Sequence, residues 1–227
     1  MSARTLCSLA LAICVTSASV SADPLPCPDP RFVTDAPDMA QHTMICAISS
    51  ENAARMESCG LTLARPLLIE IVETVEHPIA DCLAAFDCAH DRIRVTDPAR
   101  YPERIPSAEP YADLPPDILL GALLTHELAH ATVEHSTPDH AIAPVDHEYI
   151  AAAMELDTLP PEWRQHLLDR AGIDTPLAGL INIWIYRLEP RRFSANAWLH
   201  FSDPAHGCDL VARITSGRFS FAASPAE

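Results

Sequence analysis

His126 and His130 stand four residues apart in the run Thr125-His126-Glu127-Leu128-Ala129-His130-Ala131. On an α-helix that spacing puts both imidazoles on one face, one turn apart, where they can share a metal ion. Glu127 follows the first histidine, so its carboxylate lies beside such an ion without ligating it. From there it can take a proton from water and pass it to a leaving amine. The H-E-x-x-H pattern therefore points to Zn2+, which brings the pKa of bound water down to about 7.

A catalytic zinc needs a third protein ligand and keeps its fourth position open. Glu148 is the preferred third ligand, because it opens the next predicted helix and can reach across to the first. Ala151, Ala152 and Ala153 follow it, and such small side chains let two helices approach closely. His135, His147 and Glu155 are the alternatives. His135 departs from the H-E-x-x-H-x-x-G-x-x-H pattern: Val133 stands where glycine is needed, and the histidine comes one residue early. His147 suits a capping or surface role, and Glu155 lies two turns deeper. Tyr149, Tyr186, Arg192, His200 and His206 are candidates to stabilise an oxyanion. His200 is chosen among them because it follows an aromatic-rich segment.

Several elements must position these groups. Helical spacing of Ile45, Ile48, Ala53 and Met56 predicts a helix over 41–58, and residues 67–75 read as a strand. Residues 84–95 read as two short strands around a turn near His90 and Asp91, with Ile93 and Val95 alternating with Arg92 and Arg94. Residues 23–40 read as an extended lead-in, and the proline-rich stretch 97–116 as a loop. The metal-binding helix is expected over 118–134 behind Pro115-Pro116-Asp117. Further helices are expected over 147–156, capped by Asp146, over 161–171, from Pro176 to Tyr186, over 193–201 and over 208–216.

The chain has 227 residues, a net charge of −16 and an apolar fraction of 48%. All 15 basic residues are arginine. That acidity excludes nucleic acid as a partner, since a phosphate surface would repel it. Residues 1–22 read as a signal peptide: Arg4 precedes a short apolar core, Leu6 to Val15, and Val20-Ser21-Ala22 suits cleavage. The core is too short to span a bilayer, so the expectation is one domain over 23–227, exported to the periplasm or secreted, with no membrane association after cleavage. Cys27, Cys46, Cys59, Cys82, Cys88 and Cys208 remain in that domain and suggest three disulfides. Six cysteines allow 15 pairings. Proximity favours Cys82 with Cys88 and Cys46 with Cys59, which leaves Cys27 for Cys208.

The run 125–131, followed by His147-Glu148-Tyr149-Ile150-Ala151, resembles the gluzincin branch of the zincin metallopeptidases, and more closely small exported bacterial proteins of that type. Trp198-Leu199-His200-Phe201, Gly207-Cys208 and Gly217-Arg218-Phe219 extend the resemblance over most of the mature chain. It implies an α+β fold: a small mixed sheet packed on the metal-binding helix, with a mostly helical C-terminal part. It implies an edge strand near 84–88 that lines the cleft and pairs with a peptide or protein substrate. It also implies zinc held by His126, His130 and Glu148, with Glu127 as base and then acid. One departure is Ala152, which stands where some gluzincins carry an acid that orients a ligand histidine. The alternatives are a non-catalytic zinc protein on the same frame and a disulfide-stapled binding domain.

Overall fold

The computed structural model describes residues 23–76 and 82–223. The expected signal segment, residues 1–22, lies outside the described residues. The fold is α+β. Leu25–Pro26 (β1) and Phe32–Asp35 (β2) precede a helix, Met39–Glu57 (α1). Leu67–Val72 (β3), Ala84–Asp87 (β4) and Arg92–Thr96 (β5) follow. These strands form one five-stranded sheet in the order β1-β2-β3-β5-β4. The inner strands β2, β3 and β5 run parallel, and β1 and β4 pair antiparallel at the two edges.

Alternation along the strands decides which face meets the core. Leu67 and Ile69 in β3 and Ile93 and Val95 in β5 are buried, as period-2 spacing requires. Arg92 and Arg94 take the other face, where Arg92 meets Asp87 at 2.9 Å and Glu70 at 3.3 Å. The lead-in expected over 23–40 is not merely extended: β1 and β2 pair within it and join the sheet. Asp38 then caps α1 by accepting the backbone N–H of Gln41 at 2.9 Å.

The helices begin where proline permits. Tyr101–Arg104 (α2) is a single turn, and 3-10 turns occupy Pro98–Arg100 and Pro110–Asp113, so the stretch 97–116 is more ordered than a loop. Proline breaks helix interiors but is favoured in the first turn, which has no intrahelical use for its missing N–H. Pro116–Ser136 (α3), Pro144–Thr158 (α4), Pro161–Ala171 (α5) and Pro190–Ser202 (α7) all start on proline. Asp146 is thus not the cap of α4. It lies buried in the first turn and accepts the N–H of Phe221 at 2.8 Å. The helix expected from Pro176 is broken into a 3-10 turn, Ala178–Leu180, and a short helix, Ile183–Leu188 (α6). The Asn182 side chain restarts it by accepting the N–H groups of Trp184 and Ile185, each at 3.0 Å. Gly207–Thr215 (α8) follows, with a 3-10 turn over Phe221–Ala223 after it. A main core lies between the sheet, α1, α3 and α4, and a second gathers Tyr101, Tyr111, Leu114, Leu119, Leu156 and Leu168.

Two disulfides differ from the expected pairing. Cys27 joins Cys46, and Cys59 joins Cys208. Cys46 lies inside α1, whose axis carries it away from Cys59 and towards the turn before β2. Neither Cys82 nor Cys88 is disulfide-bonded. Strand β4 runs between them, and six extended steps span about 20 Å, whereas a disulfide needs Cα atoms within about 7 Å. The Cys59–Cys208 bond closes 149 residues and ties the end of α1 to α8.

That span sets the first expected outcome. Replacing Cys59 and Cys208 together by alanine should cost about 3–5 kcal/mol of unfolding free energy, read by denaturant titration of oxidised parent and variant. A second follows from Asp91, which accepts two bonds from Arg65 (2.6 and 2.8 Å) and one from His135 (2.8 Å). The Arg65 guanidinium, with His135, holds its carboxyl at about 2, against about 3.9 in an unfolded chain. The stability this supplies is complete above about pH 4 and is lost as pH falls towards 2. Asp91→Asn should flatten that acid limb, and an unchanged slope in pH-dependent unfolding would contradict it.

Candidate metal centre

Helix α3 is buried along Leu119, Leu120, Leu124, Leu128 and Ala131, which fixes its rotation and turns His126 and His130 towards α4. Helix α4 answers with Ala151, Ala152 and Ala153, all essentially without exposure. Residues with no side chain beyond Cβ bring the two axes close, and Glu148 then reaches the histidine pair. Glu148 Oε2 lies 3.5 Å from His126 Nε2 and 3.8 Å from His130 Nε2. One ligand atom from each of the three residues lies within 4.8 Å of the others. A tetrahedral ion with bonds of about 2.1 Å separates its ligand atoms by roughly 3.4 Å. The group therefore has the dimensions of a small tetrahedral site.

A second observation tests the fit. Glu148 Oε2 is buried and has no hydrogen-bond partner among the described residues. An unpaired buried carboxylate oxygen is costly. It faces two imidazole nitrogens, and a cation among them would satisfy all three atoms. Two nitrogens and one oxygen suit zinc and its neighbours in the first transition row.

The surrounding charges agree with that use. Burial works to discharge both imidazoles. It prevails at His130, pushed down to about 3. At His126 the carboxylates of Glu148 and Glu155 outweigh it and hold the ring above its ordinary value. Burial alone would raise the Glu148 carboxyl, but His126, His130 and the Tyr186 hydroxyl keep it below the usual range. Glu127 is 9% exposed, and burial lifts its carboxyl to about 7. Its Oε2 accepts the backbone N–H of Phe86 at 2.8 Å. That bond ties the carboxylate to edge strand β4 and leaves its other oxygen available.

The group that sequence analysis did not assign is Glu155, considered there only as a ligand. Its Oε2 lies 2.9 Å from His126 Nδ1, the ring nitrogen turned away from the metal position. A carboxylate there fixes the tautomer that presents Nε2 as a lone-pair donor. It fills the role left open by Ala152, from a position three residues later. Its signal was in the sequence: Glu148 and Glu155 are seven apart, two turns on one helix face.

A cleft of about 490 Å³ opens on these residues, lined also by Phe86 and Ala84 of β4, by Cys82 and Cys88, and by His147 and Tyr186. His147 is thus a wall of the cleft, its ring 5.7 Å from that of His130. His135 points away from the metal group, to Asp91. His200 is not brought to the cleft either. It is buried against Tyr149, whose hydroxyl lies 3.0 Å from its Nδ1, and stacks on His206 with ring centroids 3.7 Å apart. Burial, followed by His206, lowers its pKa to about 4. Of the five residues considered for an oxyanion, Tyr186 is the one that lines the cleft.

No curated protein and no solved structure matches the chain. One family model does match, over residues 32–224, a span that includes every residue of the metal group. The chain belongs to that family, DUF6639, a family of unknown function.

Proposed function

We propose that the chain is an exported zinc peptidase in which His126, His130 and Glu148 hold the metal and Glu127 moves the proton. The observation that carries this reading is the orphaned Glu148 Oε2, set at ligand distances from two imidazole nitrogens beside a buried carboxylate that ligates nothing. The last feature supports a peptidase over a structural metal site, where a fourth ligand would close the coordination. The resemblance to gluzincins supports it, and the two disulfides, with no described helix long and apolar enough to cross a membrane, suit an exported chain.

Zinc at this site supplies Lewis acidity, enough to ionise water near neutral pH and to polarise a carbonyl. The protein does the rest. Glu127, held through Oε2 by Phe86, takes the proton of the attacking water on Oε1 and delivers it to the amine nitrogen as the C–N bond breaks. The second proton of that water follows by the same carboxylate, so the products are one carboxylate and one ammonium, and the carboxylate of Glu127 is restored. The Tyr186 hydroxyl, which bonds Glu148 in the free cleft, would turn to donate to the oxyanion. Strand β4 orients the peptide. In its pairing with β5, Leu83 O accepts from Thr96 N at 2.7 Å, so the backbone groups of Ala84 and Phe86 face the open edge. With the Phe86 N–H committed to Glu127, Ala84 and the Phe86 carbonyl remain for an added strand.

Purified mature protein should carry one zinc per chain by elemental analysis. Chelation should abolish cleavage of an unfolded protein substrate, and added zinc should restore it. Glu127→Gln should retain zinc and lose at least about 100-fold in kcat/KM. If Glu127→Gln cleaves as fast as the parent, the mechanism is wrong; absence of zinc in the parent would sink the metal site as well.

A further inference from the structure

We propose that Tyr111, seated under Arg191, is a positioning residue for the metal centre: it locks the Glu155 carboxylate that in turn orients His126. This rests on the metal-site reading above and extends it beyond the residues that touch the metal position.

The chain of contacts is continuous. Glu155 Oε2 holds His126 Nδ1, and the Tyr111 hydroxyl donates to the other oxygen, Oε1. A carboxylate fixed at one oxygen alone can swing about its terminal torsion; fixed at both, it cannot. Tyr111 is 3% exposed and Glu155 5%, so water does not compete for either. The tyrosine is set by Arg191, whose guanidinium carbon lies 3.8 Å from the ring centroid. Arg191 is anchored in turn by Glu109, Nε to Oε2 at 2.9 Å. Its positive charge also acts on Glu155.

These residues come from three places. Glu109 and Tyr111 lie in the proline-rich stretch after β5, Glu155 in α4 and Arg191 in α7. Pro110 starts the 3-10 turn that carries Tyr111, and it fixes the backbone there. A tyrosine serving only to fill the second core would need its ring and some backbone acceptor. Here the hydroxyl goes to the one carboxylate that holds a metal ligand. The ring fills the core and the hydroxyl positions the imidazole, and the two roles can be separated by removing one oxygen atom.

Tyr111→Phe keeps the ring and its contact with Arg191. Zinc affinity, measured by competition with a chromophoric chelator on the full mature chain, should fall about tenfold, and for Glu155→Gln by about 10- to 100-fold, as for other groups that orient a metal ligand. Cobalt(II)-loaded Tyr111→Phe should show a shifted d–d spectrum relative to cobalt-loaded parent. The midpoint of thermal unfolding of the metal-free protein should fall too, because Glu155 Oε1 loses its buried donor, so zinc affinity and the cobalt spectrum are the deciding readouts. Arg191→Gln, which leaves the hydroxyl but removes its cation, should weaken zinc in the same direction by less. The proposal is overturned if Tyr111→Phe binds zinc within about twofold of the parent, or if metal-free stability falls while zinc affinity and the cobalt spectrum do not move. A parent that binds no zinc overturns both this proposal and the metal-site reading; a parent that binds zinc but cleaves nothing leaves the positioning role standing and removes only the peptidase.

Discussion

Three carboxylates and two imidazoles are crowded together between α3, α4 and β4, Glu127 and Glu155 buried and the other three part-buried at the cleft, and the rest of the molecule is arranged around the cost of keeping them there. Buried acids repel one another and resist ionisation. Glu127 shows that cost directly, lifted to about 7 by burial, with Glu148 and Glu155 adding to the rise. Such a group is poor material for a core. Replacing it by apolar side chains of similar volume would generally stabilise a fold. A divalent cation would change the balance, because its two charges would offset two of the three carboxylates and it would occupy the oxygen that no other described residue hydrogen-bonds. The geometry is that of a candidate cation site.

Holding them requires rigid supports. Helix α3 is locked by its leucine face, and α4 by an alanine triplet that lets it lie close alongside. The two helices carry both imidazoles and both outer carboxylates. The alanines look like ordinary packing, and they are, but the packing has a consequence. A larger side chain at 151–153 would push the axes apart and widen separations of 3.5 and 3.8 Å beyond what one ion can bridge. Strand β4 contributes from the other side through one backbone N–H, which holds Glu127 while leaving it off the metal. Positions fixed by regular elements are reproducible to fractions of an ångström, as a metal site demands.

How much of this is legible in the sequence depends on the length of chain each feature spans. The His126–His130 pair follows from helical period alone. Glu148 follows from period plus a short connection between neighbouring helices. The alternation of Ile93 and Val95 with two arginines gives β5 and its wet face. The disulfides are not legible, because proximity in sequence is a poor guide when strand and helix axes carry residues apart. Cys59 finds Cys208 across most of the fold. The stretch 97–116 misleads for a different reason. Its prolines exclude a long helix, yet each sits where a single turn can start, and the turn at Pro110 is what delivers Tyr111 to Glu155. His200 misleads because aromatic neighbours mark burial, and burial can equally mean a core histidine bonded to Tyr149.

The cleft is therefore unequal on its two sides. One side is β4, α3 and α4, whose lining residues are fixed by a sheet and a core. The other is Tyr186 on α6, a helix of 6 residues with none of them buried. Trp184 and Leu188 of the same helix are 67% and 76% exposed. Opening free energy tracks the apolar area a segment hides; α6 hides only part of Ile183, Ile185 and Tyr186 against the main core, with the Tyr186 ring 5.4 Å from that of Phe193. The groups that must keep ångström geometry with one another all lie on the fixed side. Tyr186, whose hydroxyl acts on Glu148 and lines the cleft, is on the less anchored side. The proposed peptidase would have to admit bulky, varied chains while its proton-moving carboxylate stayed in place, and this division of anchorage would meet both needs with one cleft.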